Sequence, residues 1–252
     1  LMQAFDAARM ALPNLTTREV AVTAVERTEA GARLELADGS RLEAPLLVGA
    51  DGKKSLVRAA TGFRAREHGF VEAALVCDLE LARPIGGTSV EFHFPRGPFT
   101  LVPAGANRAN LVWIDDREVL RAAQAGGQDH LRQVFLDKSQ RLFGTIELAT
   151  PSHVFPLSSI TVDEAGRDGV VLVGESAHAF PPIGAQGLNL GLRDIATLVE
   201  MVAHARGTGA DIGSNTLLAA YDRERRGDVT ARATMVDTLN RSLISDFLPL
   251  HL

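Results

Sequence analysis

VVLVGESAHAFPPIGAQGLNLGLRD, residues 170–194, joins two stretches that point to different chemistry. The first is an apolar run followed by a turn, Gly174-Glu175-Ser176-Ala177, which is the setting of an exposed serine nucleophile between strand and helix. Three features oppose that reading. The position after Ala177 is His178, where such a turn needs a small residue because the backbone crowds. Pro181-Pro182 and Gly184 keep the chain irregular well beyond Ser176. No His-Gly-Gly-Gly run lies upstream, and the downstream bases on offer are His204, inside a helical stretch, and His251, at the end. The second stretch reads as backbone geometry. A rigid Pro-Pro pair is followed by Gly184, Ala185, Gly187 and Gly191, which let main chain approach something large and flat. The amides of Gly187, Leu188 and Asn189 then open a helix, where partial positive charge favours an anion. Glu175 leaves the carboxyl end of an apolar strand, the end at which open α/β sheets bind ligands, and Asp51-Gly52 does the same after LLVGADG.

The apolar periodicity places these turns. LMQAFDAARMAL has helical spacing up to Pro13, and VAVTAVER, ARLELAD and RLEAPLLVGADG read as three strands with a hairpin at Asp38-Gly39. PLLVG and GVVLVG are continuously apolar, as strands buried on both faces are. Between them EAALVCDLEL, SVEFHFP, FTLVPAG and ANLVWID predict an antiparallel sheet, with Val90, Phe92 and Phe94 on one face. A helical stretch from Glu118 to Leu142 is interrupted at Gly126-Gly127. Leu188, Leu192, Ile195, Val199 and Val202 step by four and three, which predicts an amphipathic helix from Gly187 to just before Gly207, and Ser214 caps another.

The 252 residues are 46% hydrophobic with a net charge of −5, enough apolar material for a sizeable core and no basic surplus for nucleic acid. Lysine occurs only at 53, 54 and 138. The single Cys77 lies in an apolar run, a buried thiol consistent with a reducing compartment, and the seven histidines lack ligand spacing, so no metal site is expected. No apolar stretch is long enough for a membrane span, so a cytoplasmic location is expected.

GESAHAFPPIGAQGLNLGLRD resembles the second flavin-contact motif of class A flavoprotein monooxygenases, the para-hydroxybenzoate hydroxylase fold. LLVGADGKKSLVR resembles their Asp-Gly motif, and YDRERRGDVTARATMVDTLNRSL is similar to the C-terminal helices of the ubiquinone-biosynthesis hydroxylase subgroup. The order and spacing of three motifs cover nearly the whole chain. The resemblance implies an α/β (α+β) fold: a partial FAD/NAD(P)-binding Rossmann-like lobe over 1–66 and 160–252, an inserted antiparallel substrate lobe over 67–159, and C-terminal helices. It implies FAD as cofactor, with Glu175 at the ribityl chain, Pro182 and Gly184 along the flavin ring, the amides of Leu188 and Asn189 at the pyrimidine oxygen, and Gly174, Gln186 and Gly187 also among the cofactor-binding residues. Asp51 and Gly52 are placed near the pyrophosphate and ribose, a region the family also links to nicotinamide handling.

The implied activity is aromatic-ring hydroxylation with NAD(P)H and O2 through a flavin C4a-hydroperoxide, on a prenylated phenol of ubiquinone biosynthesis or on a small soluble aromatic. Phe92, Phe94, Phe99 and Trp113 are candidates for lining the substrate lobe, although residues of this kind are more often plain core. A prenylated substrate implies peripheral contact with the inner membrane or with a biosynthetic complex, and SLISDFLPL (242–250) has the apolar residues for it; packing on its own domain explains them equally well. The sequence departs from the family twice. Glu175 stands where the family has aspartate, one methylene shorter, and no Gly-x-Gly-x-x-Gly occurs anywhere. The expectation is therefore a fragment without the N-terminal βαβ unit that binds FAD weakly or not at all, or a scaffold on the same fold that has lost the cofactor.

Overall fold

A computed structural model describes residues 2–182 and 187–244, with side chains for all of these except residue 2 and residues 233–244. Helix α1 (Met2–Met10) leads into strands β1 (Val22–Thr28), β2 (Gly31–Leu36) and β3 (Arg41–Ala44), an antiparallel meander in the order β1-β2-β3. Its hairpin turns at Asp38, whose carboxylate accepts from the Ser40 backbone and hydroxyl, with Gly39 at φ +81°. The single run RLEAPLLVG is in fact two strands. Pro45 cannot donate to a ladder, so β3 stops before it, and β4 (Leu47–Gly49) belongs to another sheet.

In that sheet β4 runs parallel to β12 (Val170–Leu172), with Leu47 opposite Val170 and Gly49 opposite Leu172; β11 (Gly166–Arg167) pairs antiparallel on the far side of β12. The layers follow from alternation. Val170 and Leu172 face Val25, Ala32, Val57 and Phe63, so one face is covered by the meander and by the short helix α2 (Leu56–Ala60). Val171 and Val173 face Leu198, Leu218 and Tyr221, which lie on α5 (Gly187–Gly207) and α6 (Asn215–Ile244). The Ser214 hydroxyl accepts from Leu217 N at 3.4 Å at the start of α6.

The second unit is built on β5 (Ala65–Leu81), 17 residues long. β6 (Val90–Phe94), β7 (Gly97–Pro103), β8 (Arg108–Asp116), β9 (Ile146–Leu148), β10 (His153–Val162) and β13 (His178–Ala179) complete an antiparallel sheet in the order β13-β10-β5-β8-β7-β6, with β9 also on β5. Helices α3 (Arg117–Ala125) and α4 (Gly127–Lys138) cover one face; the break falls at Gly126-Gly127, as the sequence predicts. Leu75, Leu79, Phe99, Leu111 and Trp113 pack there against Leu120, Leu131 and Phe135. Cys77 lies in this core, where burial first and the neighbouring Asp78 second push its thiol up to about 12, so it is inert.

Two expectations about burial are corrected. β4 is not covered on both faces, because Val48 is 41% exposed: β12 is its partner in the sheet, and α5 and α6 pack over β12 instead. The helix spanning 187–207 has the expected period but turns a different stripe inward. Leu190, Asp194, Leu198 and Ala205 are buried, whereas Leu188, Leu192, Ile195 and Val199 are exposed. The helix carries two apolar stripes, and a period alone does not say which one the sheet takes.

The core of the second unit holds an aromatic cluster around Phe135, whose ring centroid lies 5.9 Å from that of Phe99 and 6.4 Å from that of Trp113. We expect Phe135→Ala to destabilise the protein by about 3–5 kcal/mol in denaturant unfolding, and the half-buried Phe94→Ala by clearly less.

Candidate functional site: two turns at the end of a parallel strand pair

Because β4 and β12 are parallel and in register, the turns after them leave the sheet at the same end. The first is Asp51–Ser55. Asp51 accepts from Ser55 Oγ at 2.5 Å and from Val57 N at 3.1 Å, and Ser55 Oγ accepts from Arg58 N, so the turn is pinned to the start of α2. Both Asp51 oxygens are thus used on the protein side, but the residue is exposed and a carboxylate has further lone pairs. Gly52 has φ +78°, and nothing lies within 4 Å of where its Cβ would stand.

The second turn is a 3₁₀ turn, Gly174–Ser176. Gly174 has φ +59°, again with open space beside it. Glu175 is exposed, and its carboxylate has no hydrogen bond or ion pair among the described residues. Ser176 is fully buried; its hydroxyl lies 2.5 Å from Gly49 O and 2.7 Å from Val173 O, so it serves as a donor inside the turn and offers no nucleophile. Gly49 is itself tightly enclosed, since a Cβ there would stand 2.8 Å from Leu172 Cδ2 and 2.9 Å from Val57 Cγ1. Arg58 stitches the turns together, donating from Nη1 to Ser176 O at 2.8 Å and from Nη2 to Lys53 O at 2.5 Å.

Below the second turn lies a buried charge network. Asp194, 1% exposed, accepts from Gly174 N (2.8 Å) and His178 Nε2 (2.6 Å) on Oδ2, and from Arg225 Nε (2.8 Å) on Oδ1. An ionised carboxylate can only accept, so Nε2 of His178 carries a proton. Arg225 also donates to Asp228 at 3.0 Å, and Tyr221 beside it donates its phenol to Leu172 O at 3.2 Å, burial pushing that phenol up. A cavity of about 410 Å³ opens onto His178, Asp194, Tyr221 and Arg225.

The structure brings Asp51, Gly52, Gly174 and Glu175 to one end of the sheet, while α5 packs against the second turn. Pro182, Gly187, Leu188 and Asn189 are exposed; Gly184 and Gln186 lie outside the described residues, as does most of 242–250. The four aromatic candidates are corrected. Phe99 and Trp113 are core, and Phe92 and Phe94 pack on the same helix-covered face, Phe94 with Lys138 Nζ 4.1 Å from its ring centroid. The face away from the helices presents Ala74, Val76, Val112, Ile114 and Leu157, with Phe155 beside Ala74 at 54% exposure. The sequence put Phe92 and Phe94 on one face correctly, but which face the helices take is set by tertiary packing. Arg58, Asp194 and Arg225 were missed. The available signal was a charged residue at a core position of a helical period, in Leu190-Asp194-Leu198 and in Leu218-Tyr221-Arg225.

The residues present suit one half of a flavin dinucleotide: an unpartnered carboxylate for ribityl hydroxyls, two open glycine turns and a helix N-terminus for the ring. Residues 5–236 match the family described as the FAD binding domain, and the chain belongs to that family. It is 32% identical over 231 residues to ubiquinone hydroxylase UbiL of Rhodospirillum rubrum, covering 92% of this chain and 54% of UbiL. It is 27% identical over 254 residues to 3-demethoxyubiquinol 3-hydroxylase of Escherichia coli, covering 100% of this chain and 64% of that one. Among solved structures it is similar to PqsL of Pseudomonas aeruginosa, a "probable FAD-dependent monooxygenase", with TM-score 0.77 and 25% identity over 90% of this chain and 64% of PqsL. The chain thus spans between half and two thirds of the length of these relatives. Among the described residues no helix is long and apolar enough to cross a membrane, and no group of three or more His, Cys, Asp or Glu could hold a metal ion.

The Asp194 network carries a pH signature. Burial by itself would raise this carboxyl, but His178, Arg225 and the Gly174 N–H together hold it below the ordinary carboxylate value. A carboxylate depressed in the fold contributes its full stability above the unfolded pKa of about 3.9 and loses it as pH falls through the lower folded value. We expect Asp194→Asn to be about 3–5 kcal/mol less stable at neutral pH. Its denaturant midpoint should also fall less steeply than the native one below pH of about 4.

Proposed function

We propose that the complete protein is an FAD-dependent aromatic-ring hydroxylase that takes reducing equivalents from NAD(P)H and acts on a phenolic precursor of ubiquinone. The observation that carries this reading is the exposed Glu175 carboxylate, without a partner among the described residues, at the carboxyl end of β12 beside the Asp51-Gly52 turn of the parallel β4. Support for the substrate class comes from the relatives named as ubiquinone-pathway hydroxylases. In this reading residues 1–66 and 160–252 form the flavin lobe and 67–159 the substrate lobe. The antiparallel sheet runs slightly past both limits, from Ala65 to Val162, and recruits His178–Ala179.

Bound FAD supplies the redox chemistry, accepting hydride and activating O2 for insertion into an electron-rich ring. The chain's own residues bind and orient. Glu175 accepts hydrogen bonds from ribityl hydroxyls, Asp51 and Gly52 receive the pyrophosphate and ribose end, and Pro182, Gly184 and Gln186 follow the ring. The N-terminal amides of α5 at Gly187, Leu188 and Asn189 favour negative charge on the pyrimidine. The substrate ring lies against the helix-free face of the antiparallel sheet, where Ala74, Val76, Val112 and Ile114 keep water away. A prenylated phenol adds peripheral membrane contact.

The test is an FAD titration of the full-length protein followed by NAD(P)H oxidation with phenols. We expect stoichiometric flavin, and Glu175→Ala to weaken FAD binding about 10- to 100-fold, the worth of one or two hydrogen bonds to a charged group. NAD(P)H oxidation stimulated by prenylated phenols and not by small soluble ones supports the ubiquinone branch; the reverse pattern moves the substrate to a small aromatic. A full-length protein that takes up no flavin sinks the reading.

A further inference from the structure

The flavin contacts proposed above sit on two separate pieces of backbone, the Gly174–Ser176 turn and the first turn of α5, and one rigid ligand can touch both only if their spacing is kept. We propose that Asp194 is the positioning residue that sets this spacing, an inference that rests on the FAD reading of the turn. Asp194 lies seven residues into α5 from Gly187, and its carboxylate divides its partners between its two oxygens. Oδ2 holds the flavin turn from both sides, taking the Gly174 N–H at 2.8 Å just before Glu175 and His178 Nε2 at 2.6 Å just after Ser176. Oδ1 takes Arg225 from α6 at 2.8 Å. Between these contacts α5 is pressed onto the turn: a Cβ on Gly191 would stand 3.4 Å from Gly174 Cα. Among the described residues Glu175 has no partner, so the start of its side chain is placed by the backbone on either side of it, and that backbone is bonded to Oδ2.

The division between the oxygens separates positioning from plain structural support. Changing the Oδ2 side should move the flavin contacts, and removing the Oδ1 partner should loosen α6 alone. The experiment uses the full-length flavoprotein, with FAD titrated into apoprotein by fluorescence quenching and the bound flavin read by visible circular dichroism, below the melting point of every variant. Asp194→Asn is expected to raise the FAD dissociation constant by about tenfold or more, as loss of a charge-assisted hydrogen bond does, and to change the visible dichroism. Arg225→Gln is expected to lower the melting temperature while leaving affinity within about twofold and the dichroism unchanged. If Asp194→Asn does not fold, Asp194→Glu replaces it: it keeps the charge but shifts the carboxylate by one methylene, and with Arg225→Gln reporting the loss of the Oδ1 partner alone, the same loss of affinity is expected.

Glu175→Ala is the control that keeps the two ideas apart. If Glu175→Ala weakens FAD binding while the Asp194 variants bind it as the native protein does, the positioning role is overturned and the flavin site stands. If affinity falls in step with melting temperature in the Asp194 and Arg225 variants alike, Asp194 is structural only. If the native full-length protein binds no FAD, both fall together.

Discussion

A charged side chain at a core position of a helix has to be matched by groups from whatever packs there, since an unpaired buried carboxylate costs several kcal/mol. Asp194 meets that demand with a backbone amide from the 3₁₀ turn, a ring nitrogen from β13 and a guanidinium from α6. The 3₁₀ turn and β13 follow one another in the chain and touch, whereas α6 lies beyond α5, so the carboxylate ties one continuous segment to a helix distant in sequence. The carboxylate therefore fixes where α5 and α6 sit relative to the parallel strand pair, and with them the end of the sheet where the two acidic turns emerge. Arg58 repeats the device on the other side, joining the Asp51 turn to Ser176 through two carbonyls.

Much of this architecture was legible in the sequence because it rests on local rules. The helix break at Gly126-Gly127, the hairpin at Asp38-Gly39 and the start of the long helix at Gly187 all depend on residues within a few positions of one another. The convergence of Asp51 and Glu175 was also readable, since two continuously apolar strands that each end in a Gly-acid turn suggest neighbours in a parallel sheet. What stayed hidden depends on partners distant in sequence. Nothing near Phe92 or Trp113 says that α3 and α4 take their face of the sheet. Nor does anything near Leu190 say that its stripe wins over that of Leu188. Asp194 and Arg225 are 31 positions apart and identify each other only through the fold.

The misjudged burial of Val48 and of the outer stripe of α5 has one geometric origin. Val48 pairs in register with Val171, so both point to the helix side of the parallel pair. α5 and α6 cover Val171 and leave Val48 and the stripe from Leu188 to Val199 to solvent. Apolar residues at these positions are hard to explain from the contacts of this chain, and the chain matches relatives of which it spans about half to two thirds.

Glu175 stands where the flavin motif its stretch resembles has an aspartate. A longer acid inside a turn could be absorbed in two ways, by folding back onto protein donors or by reaching further outward. Inside the turn the donors are already committed: the Gly174 amide goes to Asp194, the Ser176 hydroxyl to Gly49 O and Val173 O, and the Ala177 amide to Gly174 O. Glu175 finds none of them and stands exposed. The extra methylene is therefore spent on the solvent side, where a ligand hydroxyl would have to sit about one carbon–carbon bond, roughly 1.5 Å, further from the backbone than an aspartate would hold it. Because the turn is anchored from below by Asp194, the ligand and the side chain rather than the backbone must take up that difference.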